Sequence, residues 1–111
     1  METIAWSDFE KIEMRVGTIL TAEIFKEAKQ PAYKLTIDFG EFGVKKSSAQ
    51  ITDRYNAADI VGKQIVAVLN FPPKQIANLM SECLVLGAVN TDRSVTLLAP
   101  NIPCRNGERI G

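Results

Sequence analysis

The chain has 111 residues, 46% of them hydrophobic, which suffices for one domain with a real core. Its 13 basic and 13 acidic residues balance, which argues against a general nucleic-acid coat protein, since such a protein would be strongly basic. The chain has no histidine, which excludes triads and metal sites that depend on histidine.

The N-terminus and the cysteines predict the compartment. Met1-Glu2-Thr3 is acidic and no long apolar run follows it, so we expect no signal peptide. Cys83 and Cys104 are too few for a disulfide framework, and we interpret both as structural free thiols. These features predict a single cytoplasmic domain over residues 1–111 that does not insert into a membrane.

A short helix is expected at the start of the chain. Ser7 can cap this helix, and Glu10, three residues later, would complete a capping box. Trp6, Phe9 and Ile12 recur every three residues and give the helix one apolar face. Two alternatives follow, since this face packs either on the rest of its own chain or against a second subunit.

Two alternating stretches then predict strands. Residues 14–25 alternate with the even-numbered residues on one face, and Gly17 offers a place for a bend or a bulge. Residues 33–39 alternate apolar and polar side chains and predict the second strand. The segment 40–43 begins and ends with glycine, and it is predicted to close a hairpin because glycine readily adopts positive φ.

The third predicted strand, residues 44–50, is unusually polar. It is either an edge strand whose lysines prevent aggregation or one wall of a polar groove. Thr52 or Asp53 is expected to cap a short helical stretch that runs through Ala58, and Gly62 is expected to end the next turn.

The remaining strands surround a loop that contains two prolines. The apolar runs 65–69 and 84–89 predict strands buried on both faces. Pro72 and Pro73 cannot donate ladder hydrogen bonds, so residues 70–82 are interpreted as a surface loop, a common place for function. A short strand is expected over residues 95–98, followed by an extended or turning tail.

The predicted fold class is all-β with short helices. Six strands, with a helix between the third and the fourth, describe a five-stranded Greek-key OB-fold barrel with N- and C-terminal extensions. Such barrels bind ligands at strands 2 and 3 and at the loop between strands 4 and 5. The loop 70–82 falls in that last position.

Several motifs carry a resemblance to a known family. They are Phe9–Gly17, Pro31–Leu35, Ser47–Thr52, Val68–Ile76 and Ser81–Leu86. On these motifs, nearly the whole chain resembles the CsaA-type secretion chaperones of the tRNA-binding-domain family. The Ser-Ala-Gln-Ile-Thr and Asn-Phe-Pro-Pro pieces resemble the CsaA branch in particular. At the position of Leu84 the tRNA-binding relatives typically have methionine.

The resemblance implies partners for this chain. It implies a homodimer joined through the terminal segments, at Ile4, Trp6, Phe9, Ile102 and Ile110. It implies unfolded or export-destined precursor polypeptides as ligands and an export ATPase as a partner, with tRNA as the alternative ligand on the same barrel face. The zinc-ligand clusters of full-length synthetases are absent, and no cofactor and no metal are expected.

The candidate binding residues come from the second and third strands and from the loop. They are Lys34, Lys46, Ser48, Gln50, Asn70, Phe71, Lys74, Ser81 and Glu82. For a polypeptide, Phe71 would supply apolar contact; its alternative is a plug of the barrel. For tRNA, the lysines, together with Lys45, would contact phosphates. Catalysis is not expected, because Ser81 and Glu82 have no base partner.

Overall fold

The structure is a computed structural model that describes all 111 residues. Its elements are two short helices, one 3₁₀ turn and nine strands. They are α1 (Trp6–Glu10), β1 (Met14–Ile24), β2 (Tyr33–Asp38), the 3₁₀ turn (Gly40–Phe42), β3 (Val44–Ala49), α2 (Ala57–Ile60), β4 (Gln64–Val68), β5 (Lys74–Ile76), β6 (Leu79–Ser81), β7 (Leu84–Val85), β8 (Gly87–Val89) and β9 (Val95–Leu97). Neither helix is long and apolar enough to cross a bilayer.

Five strands form one antiparallel sheet in the order β3-β2-β1-β4-β7, which curls into a nearly closed barrel. β1 is the central strand, because its first half pairs with β4 and its second half pairs with β2. β5 and β6 form a separate hairpin, and so do β8 and β9. The predicted OB-type barrel with short helices is confirmed.

The core fills the barrel with side chains from its first four strands. The most deeply buried large residues are Phe39, Ile19, Leu35, Ile37, Ile65 and Val16. The strict alternation predicted for β2 is confirmed, since Tyr33, Leu35 and Ile37 are buried while the residues between them are half-exposed. Burial of each such side chain contributes about 1.5–3 kcal/mol to folding, before the entropy cost of ordering it.

The alternation of β1 changes phase part-way along the strand. Its pairing with β2 shifts between Ile19 and Thr21, and Leu20 at the shift is 43% exposed. Ile19 and Ala22 both contact the core, although an unbroken alternation would place them on opposite faces. The predicted stripe of even-numbered residues is therefore wrong, because a bulge inserts one extra residue into β1.

Gly17 is not the site of that bulge. A Cβ atom at Gly17 would lie 2.6 Å from the Phe39 ring and 2.7 Å from a methyl group of Ile37. The glycine therefore allows β1 to approach the core closely. The two glycines of the β2–β3 hairpin, Gly40 and Gly43, have φ of +65° and +85°, as predicted.

The stretch 70–82 contains a hairpin that the sequence did not predict. β5 pairs with β6 from Lys74 and Ser81 to Ile76 and Leu79, just after the two prolines. Leu79 is buried, and it packs with Phe25 and Ala32 in a small second core cluster. Each strand of the hairpin has three residues, too few for an alternating pattern to be recognised.

The predicted strand 84–89 is two strands. β7 pairs with β4, whereas β8 pairs with β9. Leu84 and Val89 are 49% and 74% exposed, so the expected burial on both faces is wrong for this run. It is confirmed for β4, in which residues 65–68 are all buried. An apolar run shows that a segment avoids water, but not which surface covers it.

Both helices begin at residues other than those predicted. α1 follows Ala5, whose N–H donates to Asp8 Oδ2 at 3.0 Å, so the Ser7 cap and its pairing with Glu10 are wrong. α2 follows Asn56, and the predicted caps, Thr52 and Asp53, lie in a preceding turn. At α1 the N-cap is an alanine, which residue type disfavours, whereas at α2 Thr52, Asp53 and Asn56 were equally plausible caps by residue type.

The C-terminal tail runs along β1. The Gly107 N–H donates to Val16 O at 2.7 Å, and the Ile110 N–H donates to Met14 O at 2.9 Å. One Arg109 guanidinium nitrogen donates to the Glu10 carbonyl at 3.2 Å and so joins the tail to α1. The two chain ends therefore lie on the same side of the barrel.

Candidate ligand groove

A groove runs between β3 and the β5–β6 hairpin. Its wider half, about 610 Å³, is lined by the turn 27–30, by Ser48 and Gln50, and by residues 74–77. Its narrower half, about 260 Å³, is lined by Ser48, the Phe71–Pro72 segment, Lys74, Ile76 and residues 81–84. Because Ser48, Lys74 and Ile76 line both halves, the two form one continuous groove. OB barrels bind ligands at this place.

The narrow half has an apolar rim. Phe71 is 55% exposed, so it is not a plug of the barrel, which removes the alternative raised from the sequence. Pro72 and Leu84 lie beside it on the groove wall. Since proline fixes its own φ, the Phe71–Pro72 segment presents this apolar surface with little freedom to lose on binding.

The β3 wall is attached to the segment that follows the hairpin. The Lys46 N–H donates to Glu82 Oε1 at 2.9 Å, and the Glu82 N–H donates to Lys46 O at 2.8 Å. The Ser47 hydroxyl, which is buried, donates to the Cys83 carbonyl at 2.9 Å. These bonds fix the narrow half of the groove, because one of its walls is held to the other.

Cys83 lies beneath this attachment. Its side chain is buried, and desolvation by burial raises the pKa of the thiol to about 11, against a smaller lowering effect of the Ser47 hydrogen bond. Cys83 and Cys104 are both free thiols, as predicted, although Cys104 is exposed.

The charges of the groove are mixed. Lys74 is exposed and lines both halves, whereas the Glu82 carboxylate is occupied by the Lys46 N–H. Lys34 Nζ lies 3.4 Å from Glu23 Oε1 and 5.6 Å above the Phe25 ring centroid, so its charge is partly balanced. No three His, Cys, Asp or Glu side chains lie close enough together to hold a metal ion.

The sequence matches the family described as "Putative tRNA binding domain" over residues 14–109. The chain belongs to this tRNA-binding-domain family. The match spans the barrel from the start of β1 to the tail that runs along it, so the family resemblance expected from the motifs is confirmed.

Solved structures identify the branch of the tRNA-binding-domain family. The chaperone CsaA from Bacillus anthracis str. Ames is 53% identical, with a TM-score of 0.95 over 99% of this chain and 100% of that one. The CsaA chaperone protein from Picrophilus torridus is 52% identical, with a TM-score of 0.92 over 98% and 100%. A MetRS related protein from Pyrococcus horikoshii is 28% identical, with a TM-score of 0.89 over the full length of both chains. The chain is thus a CsaA-type tRNA-binding-domain protein.

The curated relatives are longer proteins. The methionine–tRNA ligase of Methanococcoides burtonii is 30% identical over 99 residues, which is 89% of this chain and 14% of the ligase. The ligase of Methanocaldococcus jannaschii is 30% identical over 99% of this chain and 17% of its own length. The chain therefore spans about one sixth or less of the curated relatives it matches.

Within this CsaA-type barrel, most of the predicted binding residues line the groove. They are Ser48, Gln50, Phe71, Lys74, Ser81 and Glu82. Lys34 and Lys46 line a separate shallow depression with Thr21 and Thr36. Asn70 lines neither, because its amide accepts from the Glu13 N–H at 3.0 Å and donates to Lys11 O at 2.7 Å. Asn70 therefore attaches the N-terminal segment to the loop.

Two parts of the groove were missed from the sequence. Ile76 lines both halves, and the turn 27–30 forms one end of the wider half. Ile76 carried a signal in principle, since it is a large apolar residue in a segment predicted to lie on the surface. The turn 27–30 has no such signal in its sequence, because only the folding of the barrel places it next to β3.

The predicted dimer residues are largely exposed in the single chain. Ile4, Trp6 and Ile102 are 68%, 69% and 72% exposed, while Phe9 and Ile110 are half-buried. The Trp6 and Phe9 rings contact each other, with centroids 5.4 Å apart. Of the two alternatives for this apolar face, packing on its own chain buries Phe9 only in part and leaves Trp6 mostly exposed.

Proposed function

We propose that this chain is a non-enzymatic chaperone-like protein whose groove binds exposed segments of unfolded or export-destined polypeptides. The observation that carries the proposal is the exposed Phe71 at the rim of a groove whose opposite wall is polar, with Ser48 and Gln50. An unfolded segment has both apolar side chains and unpaired polar backbone, so it needs both kinds of surface. The 53% identity to a CsaA chaperone over the whole chain supports the same function.

A binding role without catalysis agrees with the polar groups of the groove. The Glu82 carboxylate accepts the Lys46 N–H, and the Ser81 hydroxyl donates weakly to the Cys83 carbonyl at 3.4 Å. Neither arrangement activates Ser81 as a nucleophile, because activation needs an adjacent base.

A second candidate ligand is tRNA. The family description and the lysines near the groove favour it: Lys74 lies at the rim, and Lys34 and Lys46 line the neighbouring depression. With 13 basic and 13 acidic residues, the chain would bind tRNA modestly and with strong dependence on salt.

One competition experiment compares the two ligands. Labelled tRNA and a labelled unfolded protein, such as reduced carboxymethylated lactalbumin, are titrated with the same sample across salt concentrations. We expect the unfolded protein to bind with little change between 50 and 300 mM salt. Binding of tRNA alone would overturn the proposal in favour of the second candidate.

We also propose that the chain is a homodimer joined at its terminal segments. The support is the exposed Trp6, Ile4 and Ile102, which a second subunit would cover, together with the position of the two chain ends on one side of the barrel. The two free thiols favour the cytoplasm as its compartment. The resemblance to secretion chaperones further implies an export ATPase as a partner, which a binding assay with the purified ATPase would test.

A further inference from the structure

β3 is an edge strand of the barrel sheet, and its outer edge faces the β5–β6 hairpin across the groove. In an antiparallel pair, residues alternate between those that bond to the partner strand and those that point away from it. The Phe39 N–H donates to Gly43 O at 3.0 Å, so these two odd-numbered residues form a hydrogen-bonded pair. In the register of β2 with β3, the other odd-numbered residues are therefore the hydrogen-bonded pairs as well. The even-numbered residues of β3 therefore direct their N–H and C=O groups away from β2.

Lys46 shows independently that this orientation is correct. Its N–H and C=O both bond to Glu82, on the side opposite β2. Ser48, two residues later, has the same orientation and lines both halves of the groove. No loop, neighbouring strand or side chain bonds to the Ser48 N–H or C=O. The sheet edge, closed at Lys46, is thus open at Ser48.

We propose that an extended polypeptide segment pairs with β3 at Ser48 and lies in the groove as an added strand. This inference rests on the proposed function and specifies how the ligand is held. Strand addition at a sheet edge is a common mode of peptide recognition, in which backbone hydrogen bonds supply affinity and alternate side chains enter pockets. Alternate ligand side chains would face Phe71 and Ile76, and those between them would face solvent.

The chemistry of the edge identifies the class of ligand. Every polypeptide has the same repeating N–H and C=O groups, so pairing at Ser48 selects a chain for being unfolded and not for its sequence. The RNA backbone has no N–H group, and its phosphates and 2′-hydroxyls do not match the repeat of peptide N–H and C=O groups. The Lys46–Glu82 bonds close one end of the edge, so the added strand extends from Ser48 past Gln50 toward the turn 27–30.

A substitution on the edge tests the proposal. Ser48→Pro removes the backbone N–H, and proline is tolerated on an edge strand whose N–H points away from the sheet. Ser48→Ala is the matched control, because it removes the hydroxyl and keeps the N–H. With reduced carboxymethylated lactalbumin as probe, Ser48→Ala measures what the hydroxyl contributes to the polar wall, and we expect Ser48→Pro to raise the Kd roughly tenfold above that of Ser48→Ala. Equal affinities of the two variants, each with an unchanged far-UV spectrum, would overturn the proposal.

A second experiment leaves the protein unchanged, so it remains decisive if Ser48→Pro does not fold. Capped nine-residue peptides that tile the lactalbumin sequence are screened, and the tightest is made again with one N-methyl group at each position in turn. A paired strand predicts a loss of roughly tenfold or more at alternate positions only. Uniform effects, or binding of lactalbumin without binding of any peptide, would overturn strand pairing and leave polypeptide binding intact, whereas no binding of either lactalbumin or the peptides would overturn both proposals. A change of oligomeric state in Ser48→Pro, with peptide affinity kept, would assign the edge to a second copy of this chain and also overturn the proposal.

Discussion

The Ser47 hydroxyl donates a 2.9 Å hydrogen bond to the Cys83 carbonyl, 36 residues away in sequence. Both residues are buried, at 1% and 7% exposure. The bond joins β3 to the segment that leads from the hairpin to β7, where the barrel sheet has no continuous backbone ladder. It therefore connects the two walls of the groove by a side chain.

Ser47→Ala should lower the free energy of unfolding by about 1–3 kcal/mol, because it leaves the buried Cys83 carbonyl with only the weak 3.4 Å bond from the Ser81 hydroxyl. Urea denaturation measures the change. Ser48→Ala is the control, since the neighbouring hydroxyl is half-exposed and makes no hydrogen bond within the chain, and we expect its effect to stay within about 0.5 kcal/mol. Equal stability of wild type and Ser47→Ala would contradict the role given to this bond.

Cys83 should make stability depend on alkaline pH. Burial raises the pKa of its thiol from 9.0 to about 11, so between these values the unfolded chain releases a proton that the folded chain keeps. The stabilisation is complete below pH 9 and is lost as pH rises toward 11, by roughly 2–3 kcal/mol in total. Urea midpoints from pH 8 to pH 11 measure this loss, and Cys83→Ala should show a shallower pH dependence.

The same burial predicts the reactivity of the two thiols. In the folded protein at pH 8, the exposed Cys104 should react with a disulfide reagent within seconds, and Cys83 should react only at the rate of local opening. Cys104→Ser isolates the slow thiol. Two fast thiols in the native chain would show that Cys83 is not buried in solution.

Ala77→Gly should stabilise the β5–β6 hairpin. Ala77 has φ of +49°, which costs a residue with a side chain about 1–2 kcal/mol, whereas glycine pays about 0.5–1 kcal/mol in entropy. The net expectation is a gain of roughly 0.5–1 kcal/mol in thermal or urea unfolding. Ala88→Gly in β8, where φ is not positive, is the control and should lose a similar amount. A loss at both positions would contradict the turn conformation.

The barrel could be predicted from the sequence because two of its strands carry strong patterns. The period-two alternation of β2 and the continuous apolar run of β4 each specify a strand without knowledge of its partner. The bulge at Leu20 could not be predicted, because it is a property of the pairing between two strands, and the adjacent apolar residues Ile19 and Leu20 do not by themselves show which of them faces the core. The division of residues 84–89 into β7 and β8 at Leu86 could not be predicted either, because it depends on which strand each of the two pairs with.

Residues of the groove could be predicted from the sequence where their type is unusual for the segment that contains them. Ser48 and Gln50 stand out as polar residues in a strand, and Phe71 stands out beside two prolines. Ile76 and the turn 27–30 join them only through tertiary packing, so they could not be assigned. Asn70 was predicted to bind a ligand, but it bonds to the backbone of Lys11 and Glu13. An exposed amide in a loop is equally suited to a ligand and to backbone groups of the same chain.

The single tryptophan, Trp6, is a direct probe of the proposed dimer. If a second subunit covers α1, sedimentation at micromolar concentration should give about twice the 12.2 kDa chain mass, and the Trp6 emission should shift to the red on dilution. Ile4→Asp with Ile102→Asp should give a monomer, because it places two charges in an apolar interface. Val89→Asp, an equally exposed apolar position, is the control and should remain dimeric. A wild-type monomer at these concentrations would rule the dimer out.

Phe71→Ala should weaken the binding of an unfolded polypeptide, because it removes apolar contact that charge cannot replace. The loss of about 1–3 kcal/mol corresponds to a roughly 5- to 150-fold rise in Kd, measured by fluorescence anisotropy with carboxymethylated lactalbumin. Leu98→Ala, at an exposed apolar position that lines neither half of the groove, is the control. A stacked base would contribute a similar energy, so this variant alone does not separate polypeptide from tRNA.

Lys46→Ala combined with Lys74→Ala separates the two ligands. Each lost phosphate contact lowers the salt slope of tRNA binding by about 0.7–0.9, whereas apolar contact with a polypeptide hardly depends on salt. The double variant should therefore flatten any salt dependence of tRNA binding and leave the Kd for lactalbumin within about twofold. Lys63→Ala with Arg93→Ala removes the same charge at positions that line neither the groove nor the lysine depression, and it should change neither. If the Lys46 and Lys74 variant loses polypeptide affinity as strongly as Phe71→Ala, charge and not apolar contact holds the ligand, and the proposed binding mode is wrong.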